Sequence, residues 1–370
     1  MRDHRPAKTP LPDPMQDLLS AETFAAALPA HYLDTIGTSA PVPSWLTIEA
    51  ENQRYLAAQN LHQSAQSQRQ NPAAEKALIL ARRIRQCAES LAILADRETD
   101  ALLPLAMRCG SRWCPPCAVS KCYSRAFAII RSHGPLARDR MLLHAVYTMR
   151  NCNLSELRAA AKALRKALRY ALGQEGGHGQ PLPGFEPIRG SILNLEVTYS
   201  EDRDDWHPHL HVLHVSPRLD QRLLSWDWSR AMVHAGLPAI ETLVYLAPLR
   251  ANRKRGLAAA PAGATNDLAS AAFEVAKYAC KPPSYQGPGA PRQRDLVDLA
   301  AALRYLRVSE ATGESRTLLA ADRAPPEANY SWCGSLRQYL HDSDPKDQQQ
   351  AMHAIAASST ARRIHTRYYH

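Results

Sequence analysis

The segment His207-Pro208-His209-Leu210-His211-Val212-Leu213 constrains this chain more than any other feature. Apolar residues alternating with polar ones at period two predict a β-strand. Alternate side chains then share a face, about 7 Å apart at Cα. His209 and His211 therefore point the same way. Two imidazoles side by side can hold one divalent cation; the plainer alternative is a half-buried strand whose histidines make ordinary hydrogen bonds. His207 has the same parity, but Pro208 is expected to break the strand there, and His214 belongs to the other face. Two histidines leave a metal underligated. Glu196 lies between Leu195 and Val197, where an unpaired carboxylate is costly. It could supply a third ligand if its strand pairs with the histidine strand; a salt-bridged or edge-exposed glutamate is the other reading.

Around this strand the pattern alternates. Residues 141–149 are an apolar run of strand length, and residues 154–172 predict an amphipathic helix with a Leu157/Ala161/Leu164/Leu168 stripe. Residues 191–199 alternate like a strand, and 203–206 read as a polar turn. A helix over 219–235, a strand over 240–249 and a helix over 268–280 follow, the last stopped by Pro282 and Pro283. This order fits an α+β domain with an antiparallel sheet. Upstream, residues 78–95 predict a helix that places Leu80, Ile84, Leu91 and Leu94 on one face. Residues 59–70 are polar enough for a linker or a solvated helix.

Glu274, Tyr278 and Lys281 share a face of the 268–280 helix and its end. A phenol with a free pKa of about 10 is a weak nucleophile. Beside a metal-polarised phosphate it can still attack phosphorus and form a phosphotyrosine. The lysine would favour phenolate or hold the phosphate, and the glutamate could activate water for a later hydrolysis. By itself this trio also fits a solvated helix face.

Cys109-Gly-Ser-Arg-Trp-Cys114-Pro-Pro-Cys117 is the second strong local signal. A Cys-Pro-x-Cys turn presents two thiolates to one metal, as in a structural zinc knuckle. Tetrahedral zinc needs a fourth ligand, and spacing leaves Cys87 and Cys122 both open. A reduced, metal-free cluster is the alternative.

Charge narrows the partners. Lys+Arg 45 against Asp+Glu 35 gives +10, with a pI near 9.3, which suggests a polyanion such as nucleic acid. Arg158, Lys162, Arg165 and Arg169 form a basic stripe, and Arg253-Lys254-Arg255 a basic loop; either could track a DNA backbone, and a solvated helix face explains the stripe as well. No run approaches the roughly 18 apolar residues of a membrane span, and the N-terminus lacks a signal-peptide stretch, so the cytoplasm is expected and no membrane partner.

Three motifs in this order resemble the HUH endonucleases, most closely the rolling-circle replication initiators of plasmids. Thr148-Met149-Arg150-Asn151 is similar to that family's Thr-apolar-basic-Asn, His207–Leu213 to its histidine motif, and Lys277-Tyr278-Ala-Cys-Lys281 to its Lys-Tyr-x-x-Lys. The resemblance covers about 80–285 and implies a central antiparallel sheet flanked by helices, preceded by a small cysteine-rich zinc segment. It implies His209 and His211 as ligands of Mg²⁺ or Mn²⁺, with Glu196 a less secure third. It also implies Tyr278 as nicking nucleophile, Glu274 for the second cleavage, and Cys87 as fourth ligand of a structural Zn²⁺, because Arg82-Arg83-Ile84-Arg85-Gln86-Cys87 looks like the family's basic run and upstream cysteine. The implied substrate is plasmid origin DNA, single-stranded at the nick, with a host helicase as a further partner. The expected division is a polar extension over 1–75, a helix and cysteine segment over 76–135, an endonuclease domain over 136–290, and a C-terminal helical extension with a basic tail over 291–370. A transposase or relaxase of the same superfamily, and a non-catalytic zinc-knuckle DNA-binding regulator, are the rival readings.

Overall fold

The protein is described from a computed structural model that covers residues 44–87, 89, 91–137, 142–175, 179–217, 219–239, 244–248, 272, 275–277, 290–322 and 330–357. Two β-sheets organise these residues, and the larger carries the histidines.

Five antiparallel strands form it: β3 (Leu142–Thr148), β4 (Gly190–Ser200), β5 (Asp205–Val215), β6 (Tyr245–Pro248) and β7 (Ser309–Thr312), in the spatial order β6-β3-β5-β4-β7. The histidine strand β5 is therefore central, hydrogen-bonded on both sides. Period-two alternation divides the sheet's faces. Leu143, Ala145, Tyr147, Leu193, Leu195, Leu210 and Val212 enter one hydrophobic core. Against them pack the helices α4 (Leu157–Ala171) and α5 (Gln221–His234), through Leu164, Leu168, Leu224 and Trp228. Asp220 caps α5 by accepting from the Arg222 and Leu223 amides. The opposite face carries His144, Asn194, Glu196, His209 and His211.

Pro208 does not end the strand. Trp206 exchanges both backbone hydrogen bonds with Cys152, at 2.8 and 2.9 Å. Pro208, two residues on, turns its nitrogen to the same side. There the pairing of β3 has already stopped at Thr148↔His209, so no ladder bond is lost.

The smaller sheet departs from the sequence expectation. The helix α2 spans Ala74–Arg85, and the chain then forms β1 (Leu91–Asp96), so Leu91 and Leu94 lie on a strand and not on the helix with Leu80 and Ile84. Tertiary pairing overrides local propensity here. β1 lies between β2 (Leu102–Ala106) and β8 (Tyr330–Ser335), antiparallel to both. Pro104 is tolerated because β2 is an edge. The smaller sheet thus joins the cysteine segment to the C-terminal extension. Helices α6 (Leu296–Leu303), α8 (Leu336–Asp342) and α9 (Pro345–Ala357) share its core through Leu299, Leu336 and Ile355.

Residues 59–70 mostly belong to α1 (Ser44–Ser67), whose Ala57, Leu61 and Ala65 are buried in that same core. Packed structure therefore begins within the polar 1–75 segment. Two further helices, α3 (Pro115–Ala137) and α7 (Gly313–Asp322), are tied together through His133, whose Nε2 lies 2.9 Å from the Ser315 hydroxyl. No helix among the described residues is long and apolar enough to cross a membrane.

Candidate active site

Direct register across β4 and β5 builds the centre. Glu196 is opposite His209, and Asn194 is opposite His211. Glu196 Oε2 lies 2.9 Å from His209 Nε2 and 3.0 Å from His211 Nε2, with all three residues buried. The three ligand atoms lie within 4.8 Å of one another.

Hydrogen bonding tests whether this trio fits a cation. His209 Nδ1 is 3.1 Å from the His207 carbonyl, which can only accept, so Nδ1 carries the proton. In the neutral ring Nε2 then presents a lone pair to a carboxylate oxygen. That contact is repulsive unless a second proton or a metal ion lies between them. Cis ligands at about 2.1 Å from an octahedral ion are about 3.0 Å apart, close to the spacing found. Two imidazoles and a carboxylate on one buried edge therefore fit a divalent cation.

An outer layer orients these ligands. His144 on β3 stacks on His211 at 5.3 Å between ring centroids, and its Nε2 is 3.1 Å from His211 Nδ1. Burial, then the charges of His211 and Lys277, push the His144 pKa down to about 4, so its ring is neutral near neutral pH. Burial likewise lowers the His211 pKa, against the favourable pull of Glu196. His207 donates from Nδ1 to Asn151 Oδ1 at 2.6 Å, and Asn151 Nδ2 donates to Asp205 at 2.6 Å. Asn151, at the end of the first motif, thus braces the start of the histidine strand.

The segment 275–277 is helical, with Val275 and Ala276 fully buried. Asn194 Nδ2 donates to the Val275 carbonyl at 2.7 Å, two residues along β4 from Glu196. Lys277 is near enough for its charge to disfavour protonation of both His144 and His211. Glu274, Tyr278 and Lys281 lie outside the described residues, as does Arg253-Lys254-Arg255.

Four sulfurs gather at the second cluster: Cys87, Cys109, Cys114 and Cys117, within 4.8 Å of one another. Cys87 Sγ is 3.4 Å and Cys109 Sγ 3.7 Å from Cys117 Sγ. Those spacings are too long for disulfides and close to the ~3.8 Å edge of a tetrahedron with metal–sulfur bonds of about 2.3 Å. Pro115 and Pro116 start α3, where missing amide protons cost nothing, and place Cys114 just before the helix with Cys117 in its first turn. Cys87 enters directly after α2, while Cys122 is buried further along α3 and is not in the group. Mutual hydrogen bonds among the four clustered cysteines hold the Cys117 thiol far below its usual range and push the Cys114 and Cys87 thiols above it. This set can hold a metal through four thiolates.

The basic stripe on α4 is partly occupied inside the protein. Arg158 donates to the carbonyls of Ala302 and Arg304 at 3.0 and 2.7 Å, satisfying the end of α6. Arg165 pairs with the buried Glu310 on β7, and Arg169 reaches the same carboxylate at 3.7 Å. Lys162 and Arg169 remain exposed.

The replication-protein family (Rep_1) matches residues 102–358, a span that holds all five strands of the larger sheet, Glu196, His209 and His211, and three of the four clustered cysteines. The chain belongs to this family. Three proteins named "Protein rep" resemble this replication protein. That of Staphylococcus aureus is 26% identical over 133 residues, covering 35% of this chain and 55% of the relative. That of Lentilactobacillus hilgardii is 24% identical over 213 residues, covering 54% and 62%. That of Lactiplantibacillus plantarum is 25% identical over 202 residues, covering 51% and 57%. The chain thus matches little more than half the length of these relatives. No solved structure matches it.

Proposed function

We propose that this replication protein initiates rolling-circle replication of a plasmid by nicking one strand of its origin. The observation that carries this reading is the Glu196/His209/His211 edge on the central strands, with helical segment 275–277 docked beside it through Asn194. Tyr278 follows that segment directly in sequence. In the proposed step the Tyr278 oxygen attacks the scissile phosphorus and the P–O3′ bond breaks. The leaving oxygen takes up a proton and becomes the 3′ hydroxyl that primes synthesis, while the 5′ phosphate stays on the tyrosine. Mg²⁺ or Mn²⁺, when bound by Glu196, His209 and His211, supplies Lewis-acid stabilisation of the phosphate. Lys281 favours the phenolate or holds the phosphate, and Glu274 activates the water that ends the cycle.

Zinc on Cys87, Cys109, Cys114 and Cys117 is structural in this reading. Bound there, it would let Cys87 after α2 and Cys114 and Cys117 at the start of α3 share one ion. Lys162, Arg169 and the 253–255 loop contribute backbone contacts to the origin. A host helicase is the further partner and the cytoplasm the site of action.

The test is to incubate the protein with single-stranded origin DNA and Mn²⁺, then look for a denaturant-resistant adduct. Wild type forms one; Tyr278→Phe and the His209→Ala/His211→Ala pair do not. An adduct that survives Tyr278→Phe moves the nucleophile elsewhere. No adduct despite tight DNA binding favours a non-catalytic DNA-binding regulator.

A further inference from the structure

A cleft of about 580 Å³ opens between α1 and α2, and it shares no lining residue with the histidine site. Its walls are two matched stripes at helical spacing. Tyr55, Gln59 and His62 face it from α1; Leu78, Arg82 and Arg85 face it from α2. Ala58 and Ala81, both buried, form an apolar floor. Arg82 and Arg85 are exposed, and neither meets a carboxylate among the described residues.

Cations in the last turn of a helix also balance its dipole. That role does not require a cavity, and Arg83 already reaches the Cys109 carbonyl at 2.9 Å from the same turn. The wall is held in place as well. The guanidinium of the buried Arg54 lies 4.6 Å from the Tyr55 ring centroid and donates to its hydroxyl at 2.8 Å. The same arginine also donates to the Cys87 carbonyl, so the cleft is coupled to the four-cysteine cluster.

Apolar floor, aromatic wall and two unneutralised guanidiniums define a ligand with a flat apolar body and an anionic tail. The volume lies within the range of roughly 300–1,000 Å³ that takes small ligands. We propose that this cleft is a second DNA-contact site that takes an unpaired nucleotide of single-stranded DNA, its base in the cleft and its phosphate on Arg82 and Arg85. The choice of nucleic acid as occupant rests on charge complementarity in a chain of net charge +10 and on the replication reading above. The site gives the α1 segment a role separate from the nick.

The experiment titrates the full chain, zinc-loaded, with a fluorescein-labelled oligothymidylate of about 20 nucleotides and follows anisotropy over a range of salt. Arg82→Gln/Arg85→Gln lowers affinity by roughly tenfold per arginine near physiological salt. It also lowers the salt slope by about one per lost phosphate contact. Arg82→Lys/Arg85→Lys keeps the slope. Tyr55→Leu lowers affinity without changing the slope, which separates stacking from charge. Unchanged binding and slope in the glutamine pair overturn the cleft, whatever the nuclease assay gives. Wild type alone is scored, on single-stranded origin DNA, for adduct with Mn²⁺. If it binds through the cleft but forms no adduct, the nicking proposal fails and the cleft stands.

Discussion

Replacing Asn194 by alanine isolates the link between the sheet and the segment preceding Tyr278. Asn194 is fully buried, and its 2.7 Å bond to the Val275 carbonyl ties β4 to residues 275–277. A buried hydrogen bond contributes about 1 kcal/mol net, and a carbonyl left without its partner costs about 1–3 kcal/mol. Asn194→Ala should therefore shift the docking equilibrium of the segment by about 1–3 kcal/mol, or roughly 5- to 150-fold. Hydrogen exchange read by mass spectrometry should show the amides of 275–277 exchanging faster by that factor. Central amides of β3 and β5, held by strands on both sides, should keep their protection. Adduct formation should slow by no more than the same factor, because none of the metal ligands is altered. The reasoning is refuted if 275–277 exchange is unchanged within about twofold. It is refuted equally if protection falls uniformly along the chain, since the bond would then serve global stability and not docking.

Three further outcomes follow from the two clusters and the buried histidines. His209→Ala should abolish measurable Mn²⁺ binding by calorimetry, whereas His144→Ala, which removes only the ring behind His211, should weaken it by about 10- to 100-fold; equal losses would make His144 a ligand. Cys114→Ser should lose its zinc by elemental analysis and melt at lower temperature, and retention of a full equivalent would refute the four-cysteine site. Acid should destabilise the fold through His133 and His214, whose pKa values burial lowers to about 4 and about 3 from 6.5. Both are neutral when folded and bind protons when unfolded, so stability is intact above pH 6.5 and falls as pH drops toward 4. The loss is about 2 kcal/mol each at pH 5. His214→Asn should lose about 2 kcal/mol less than wild type between pH 7 and pH 5 in urea unfolding, and an unchanged difference would contradict the assignment.

Much of the site was legible because its chemistry is written at strand periodicity. His209 and His211 share a face by counting, and Glu196 stood out as a carboxylate in an apolar run. Pairing turned that suspicion into geometry, because only the Glu196↔His209 register decides which strand faces which. Asn194 has the same parity as Glu196 and His144 interrupts an apolar strand, so both gave a signal that went unused. Cys87 could not be separated from Cys122 by spacing alone; the break after α2 brings it back to the cluster. The smaller sheet was less readable. Residues 91–96 favour helix locally, and their partners at 330–335 lie far along the chain, where no short-range pattern points to them. Glu310 likewise escaped notice, although it pairs with two of the three arginines in the α4 stripe.

The three candidate ligands all belong to one hairpin, with residues 201–204 at its tip. This makes the centre unequally sensitive to changes in chain length. An extra residue between Glu196 and the tip, or between the tip and His209, would turn a ligand to the opposite face or slide it out of register. Extra residues within the tip itself would leave the rails aligned, even if they disturbed the 2.7 Å contacts that Asp204 makes with Tyr199 and Arg292. The hairpin end is thus where this protein could accept a new loop, or an inserted domain, while its candidate metal site kept its geometry.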